Sequence, residues 1–106
     1  MNTSRINQLL QFLTANPKDS FVKFALALEY AKIGDDDKTL SYFKEIISDD
    51  PGYTGTYYHL GKLYERLNEK KTAELTYEEG LKHTRGKDQK AYQELQEALN
   101  QLLFEE

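Results

Sequence analysis

Shifted by 34 positions, this chain overlays itself. Pro17 falls on Pro51, Leu26 on Leu60, Ala27 on Gly61 and Tyr30 on Tyr64. Ile33 falls on Leu67, Thr39 on Ala73 and Phe43 on Tyr77; Leu9 reaches Phe43 and Phe12 reaches Ile46. A fixed period in this range predicts stacked helical hairpins, an all-α chain of about six helices. Small residues at 27/61 and 39/73 let paired helices approach, and large ones at 30/64 and 43/77 fill the space beside them. Prolines at 17 and 51 end one hairpin and aim the next. Neither hairpin can bury its outer face alone, so stability comes from neighbour contacts.

Hydrophobic periodicity places the helices. Residues 4–15 carry Ile6, Leu9, Leu10 and Leu13 at helical spacing, with Phe12 widening the stripe and Ser4 as N-cap. Residues 20–33, capped by Ser20, have two apolar stripes, Phe21/Phe24/Ala25/Leu28/Ala31 and Val22/Leu26/Ala27/Tyr30/Ile33, which predicts a helix sandwiched between neighbours. Gly34 supplies the left-handed C-cap. A helix over about 37–49 turns Leu40, Phe43, Ile46 and Ile47 inward. Helices over 54–67 and 70–84 follow, the latter contacting through Ala73, Leu75, Tyr77 and Leu81, with Gly80 weakening it near its end. Asp88 caps a last helix over 88–104, with Leu95, Ala98, Leu99 and Leu102 on its apolar face.

Composition narrows the function. With 106 residues there is room for one domain. The 39% apolar and 30% charged content suits an elongated helical protein with much surface per residue. There is no cysteine, which removes thiolate chemistry and gives no sign of an oxidising compartment. The net charge of −4 is shared evenly: six Lys/Arg against eight Asp/Glu in 1–53, eight against ten in 54–106. No basic face stands out, so nucleic acid is not an expected partner. No apolar run is long enough to span a bilayer, the N-terminus lacks a secretion signal, and a cytoplasmic protein is expected.

Chemistry-bearing motifs are missing. His59 and His83 fall on different helices with no Asp, Glu or Cys at metal-ligand spacing, so no metal is expected. Asp35-Asp36-Asp37-Lys38 lacks the alternation and central glycine of a calcium loop and reads as a helix start. Glu78-Glu79 and Glu105-Glu106 are adjacent on a helix and diverge, so neither is an acid/base pair. Gly52-Tyr53-Thr54-Gly55 lacks the lysine of a phosphate loop. No serine sits in a nucleophile elbow. No catalytic residue, no cofactor and no enzyme activity are expected.

The packing positions carry a resemblance. Tyr57, Leu60-Gly61, Tyr64, Ala73 and Tyr77 closely resemble the tetratricopeptide repeat (TPR), and the period agrees. The first copy, Leu26-Ala27, Tyr30, Thr39, Phe43 and Pro51, matches less fully: Lys23 stands for an aromatic or leucine and Thr39 for alanine. In the second copy Arg85 replaces the closing proline. The resemblance implies an all-α right-handed superhelix of stacked antiparallel hairpins: a half-repeat helix 4–15, repeats 20–53 and 54–87, and a capping helix 88–104. It also points to the small free-standing bacterial TPR proteins.

In that family the first helix of each hairpin lines a concave groove that binds a protein or peptide. The implied partner-binding positions are Phe21, Phe24, Leu28 and Ala31, then Gly55, Tyr58, Lys62 and Glu65, with His59 adjacent and Lys32 and Arg66 at the edge. The Lys/Asn clamp of chaperone-binding relatives is absent: Phe24, Leu28, His59, Gln89 and Gln93 stand at its positions. The expected function is a non-enzymatic adaptor or scaffold that binds a peptide or helix. The alternative is a homodimer formed through the apolar half-groove or the helix 4–15 face.

Overall fold

Apolar residues recurring every three or four positions leave each segment with one face to hide, and the chain meets that demand with helices throughout. The computed structural model describes residues 3–104. They form six helices and no strand: α1 (Thr3–Ala15), α2 (Ser20–Lys32), α3 (Asp36–Asp49), α4 (Gly55–Arg66), α5 (Lys70–Thr84) and α6 (Gln89–Phe104). Contacts gather these into two compact units, Met1–Tyr53 and Thr54–Glu106. The Glu105-Glu106 pair lies outside the described residues.

The turns repeat the period in hydrogen bonds. Asp19 N–H donates to the Asn16 carbonyl at 3.1 Å across Pro17, and Tyr53 N–H to Asp50 at 3.0 Å across Pro51. Arg85 holds the third such corner: Lys87 N–H reaches the Thr84 carbonyl at 3.0 Å. Its φ of −57° and ψ of 122°, followed by Gly86 at φ 72°, make a type II turn. Inside each hairpin the first helix ends in a Schellman motif. In unit 1, Asp35 N–H bonds to the Tyr30 carbonyl at 2.9 Å and Gly34, at φ 81°, bonds to Ala31. In unit 2, Glu69 bonds to Tyr64 at 2.8 Å and Asn68, at φ 62°, bonds to Glu65.

Capping differs from expectation at two serines. Asp19, not Ser20, caps α2 by accepting from Val22 N–H at 3.1 Å; Ser20 is already helical and donates to the Asp50 carboxylate at 2.7 Å. A carboxylate one residue earlier accepts the same orphan donor more strongly. Ser4 lies inside α1, which includes Thr3. Asp35 caps α3 through Lys38 N–H and Asp88 caps α6 through Ala91 N–H, each at 3.1 Å. Thr54 makes no side-chain cap bond to α4; its hydroxyl donates to Asp88 at 2.9 Å.

In unit 1, α1 lays Ile6 and Leu9 against Val22, Ala25, Leu26 and Tyr30 of α2, with Leu10, Leu13 and Tyr42 around them. Ala27 is fully buried, and Thr39 opposite donates its hydroxyl to Asp35 O at 2.9 Å and across the helix pair to Ala27 O at 3.3 Å. Threonine thus fills the small-residue position with its polar atom satisfied. Phe43 and Ile46 of α3 are also buried. The expected two-sided burial of α2 is incomplete: Phe21 is 62% exposed, and Ala31 and Ile33 also face water. Lys23 and Glu29 are buried instead, because each meets opposite charge. Lys23 Nζ lies 3.2 Å from both Glu45 and Asp49 of α3, and Glu29 is 3.5 Å from Arg5 of α1 and 2.9 Å from Lys32. Phe12, expected to widen the α1 stripe, is 61% exposed.

In unit 2, α4 and α5 pair and α6 packs on both. Tyr57, Leu60, Gly61, Leu63, Ala73 and Tyr77 are buried, with Leu95 and Ala98 of α6; Tyr64 is half-buried. Gly61 is small because it must be: a Cβ there would sit 2.2 Å from the Tyr77 ring. Gly80 does more than weaken its helix. A Cβ there would meet Tyr57 Cβ at 2.6 Å and Leu95 Cδ1 at 2.9 Å, so the residue sets how closely α4 and α6 approach α5. Leu75, expected as a contact, is 54% exposed.

Candidate functional site

The residues singled out on α2 divide by role. Phe21 projects into solvent. Phe24 is half-buried, with ring centroids 5.9 Å from Phe43 and 5.6 Å from Tyr53. It is therefore as much a packing residue as an anchor. Leu28 is half-buried one turn further on, and Lys32 bonds back to Glu29. Of this set, Phe21 offers the most apolar surface to a visitor.

On α4 the singled-out residues form one polar-aromatic row. The Tyr58 ring is half-buried, and Lys62 Nζ lies over it at 5.6 Å from the centroid, within range of a cation–π contact. Lys62 also reaches Glu65 at 3.7 Å. Glu65 in turn accepts a hydrogen bond from the Tyr77 hydroxyl. Burial first, and this bond second, push the Tyr77 phenol far above its ordinary value. His59 meets the Tyr58 ring edge-on at 5.6 Å. Desolvation of the imidazole holds its pKa below 6.5, against the opposite pull of the Glu94 carboxylate.

Sequence reading did not join this row to α6. There Glu94, Glu97, Ala98 and Gln101 face Tyr58 and Lys62 across a cleft of about 310 Å³. The available signal was the i, i+3 spacing of Glu94 and Glu97, two like charges on one helix face followed by Gln101 one turn on. His83 stacks on Tyr57 at 5.5 Å with a 10° interplanar angle, and its Nε2 lies 3.4 Å from Glu79, which contrary to expectation is a carboxylate one helical turn away on α5. The two histidines sit on α4 and α5, each in contact with a tyrosine ring. Among the described residues, no three His, Cys, Asp or Glu gather as a metal site. Among them, too, no helix is long and apolar enough to cross a membrane.

An all-helical chain of hairpins joined by short repeating turns, with paired small and large residues at the crossings, belongs to the class of helical-repeat proteins. Comparison makes this specific. A tetratricopeptide repeat domain protein from Salinibacter ruber is 44% identical in its crystal structure, with a TM-score of 0.76, over 79% of this chain and 96% of that one. Its solution structure gives 42% identity and a TM-score of 0.81, over 86% and 93%. The chain belongs to the tetratricopeptide repeat family. The MamA protein, at 22% identity and TM-score 0.74 over 91% of this chain and 52% of that one, shares the fold. So does the Sgt2 TPR domain of Aspergillus fumigatus, at 19% identity and TM-score 0.70 over 91% and 66%. No protein-family model and no curated protein matches the chain.

Proposed function

We propose that this protein is a non-enzymatic adaptor that binds a peptide or helical segment of a protein partner along the first helix of a hairpin. The reading takes the chain as a half-repeat helix 4–15, repeats 20–53 and 54–87, and a capping helix 88–104, working in the cytoplasm. Family membership supports the general role in protein interaction. The observation that carries the site is the α4 row of Tyr58, His59, Lys62 and Glu65, an amphipathic strip with an open cleft beside it. In the other unit, Phe21 is the exposed apolar residue of the corresponding helix, α2. Aromatic residues in such positions anchor partners, because they bury much area at little entropic cost.

Peptides selected from a random displayed library test the reading. Titration should show binding weakened about thirty-fold by Tyr58→Ala or by Phe21→Glu, the loss of one anchor. Phe21→Glu is preferable to a change at Phe24, whose ring packs on Phe43 and Tyr53. Equal affinity in wild type and both variants moves the site elsewhere. A library that yields no binder removes the peptide-adaptor reading.

A second reading is a homodimer. Its support is the exposure of Phe12 on α1, where an apolar ring on a helix face costs solvation unless covered. A constant monomer mass across a concentration series in sedimentation removes it.

A further inference from the structure

The cleft between α4 and α6 holds two carboxylates that no ion pair among the described residues neutralises, although Glu94 acts on His59 at a distance. Glu94 and Glu97 stand on one face of α6, three residues apart, and like charges at that spacing repel. Among the described residues, neither takes part in an ion pair. The lining contains one ammonium, Lys62, and that group is already shared between Glu65 and the face of Tyr58. His59, the other ionisable neighbour, is held toward its neutral form. The cleft is therefore net acidic, with an aromatic wall on α4, carboxylates on α6 and the small residue Ala98 between them. At about 310 Å³ it has room for one long side chain and leaves the cleft open to water.

The molecule supplies its own sketch of the ligand. Lys62 places an ammonium 5.6 Å from the Tyr58 centroid, so the ring face accepts a cation in the resting protein. The same ammonium also lies 3.7 Å from Glu65, a charge partner it can keep if it leaves the ring face. An incoming cation would then take the ring face and gain Glu94 and Glu97 as well.

We propose that this cleft is a subsite for an arginine or lysine side chain of the bound protein segment, gripped by the Tyr58 ring and the Glu94 and Glu97 carboxylates, with Lys62 as the internal group it displaces. This rests on the peptide-adaptor reading and specifies the partner: a segment presenting a basic residue to α6. Arginine suits the site better than lysine, because its planar guanidinium stacks on a ring and bonds a carboxylate with the same fork. Binding should weaken as salt rises, since the carboxylates are exposed to solvent.

The test uses two probes, N-acetyl-glycyl-arginyl-glycine amide and its glutamyl counterpart, titrated at millimolar concentration into ¹⁵N-labelled protein. The arginine probe should move the amide signals of Tyr58 and Ala98, and the glutamate probe should not. Glu94→Gln/Glu97→Gln, at exposed positions, should weaken the arginine probe about tenfold. Lys62→Met should strengthen it several-fold by removing the competitor, an effect that a merely structural role for Lys62 would not produce. Absence of arginine-induced shifts overturns the proposal, as does equal response to both probes or weaker arginine binding in Lys62→Met. Library peptides that bind at α2 or α4 while the arginine probe fails would leave the adaptor reading standing and remove only this subsite. Failure of the library alongside a positive arginine probe would remove the adaptor reading and leave a cation site.

Discussion

Position 23 in unit 1 and position 57 in unit 2 are equivalent in the repeat, yet they are filled by opposite chemistry. Lys23 is 3% exposed and lies between Glu45 and Asp49 of α3. Tyr57 is 1% exposed and stacks on His83 of α5, beside Glu79. Advancing Glu45 and Asp49 by the repeat lands on Glu79 and His83, so the glutamate is kept and the aspartate gives way to the imidazole that stacks on Tyr57. The neighbouring volume changed too. Unit 2 has Gly80 where unit 1 has the buried Ile46, and a side chain at Gly80 would strike Tyr57. A slender lysine with an isoleucine and a broad tyrosine with a glycine are two ways to fill one helix crossing. Burial pulls the Lys23 pKa down, but hydrogen bonds to Asp49 and Glu45 outweigh it and raise the pKa overall. The lysine stays charged. The repeat thus conserves filled space rather than residue type.

The sharpest way to break this equivalence is truncation. Tyr57→Ala should cost about 3–5 kcal/mol, since it removes a buried ring in a layer already spaced by glycine. Lys23→Met should cost less than about 1 kcal/mol, because Glu45 and Asp49 are nearly half exposed and return to water. Urea denaturation of both variants checks this; similar losses would mean that the two crossings carry equal weight.

The next contrast is between Phe43 and Tyr77. Phenylalanine has nothing to ionise. Tyr77, buried with its hydroxyl on Glu65, has its pKa raised in the fold, whereas the unfolded chain titrates near 10.0. A raised folded value means stability that is complete below pH 10 and lost as pH rises above it. The loss should approach about 1.4 kcal/mol per pH unit from this one group. Denaturation of wild type and Tyr77→Phe on either side of pH 10 should show a shallower alkaline loss in the variant. An unchanged slope would assign the alkaline limit to the other shifted tyrosines, Tyr42, Tyr53 and Tyr64.

A smaller effect separates Val22 from Thr56. Both are buried at the same repeat position, but among the described residues the Thr56 hydroxyl has no hydrogen-bond partner. Thr56→Val should stabilise the protein by about 1 kcal/mol, the cost of burying an unpaired hydroxyl. Destabilisation would reveal a partner for that oxygen. Smallest is the contrast between Gly34 and Asn68, which hold the same left-handed cap. Asn68→Gly should stabilise by a few tenths of a kcal/mol, as asparagine tolerates positive φ only slightly less well than glycine. A loss in thermal unfolding would show that the Asn68 side chain contributes there.

Much of the fold was legible in the chain. The period located the turns, and the small and large pairs at Ala27/Phe43 and Gly61/Tyr77 located the crossings. Helix boundaries fell within a residue or two. What misled was local: Ser20 is a good cap by type, but Asp19 stands where the chain turns. Phe21, Phe12 and Leu75 follow apolar periodicity yet face water, because periodicity names a side of a helix without saying how far the neighbouring helix extends over it. On the candidate site, the α4 row was legible as a helix face, while its α6 wall was not.

The chain alone determined the repeat, the all-helical class and the corner residues, because each depends on contacts within about four residues or on a register that recurs. Tertiary structure decided which charges are buried, what Gly80 is for, and that Glu94 and Glu97 face Tyr58. Those outcomes depend on pairs such as Lys23–Asp49 and Tyr57–His83, brought together only when two helices pack. A charge at one position is tolerable or ruinous according to what the other helix places opposite it.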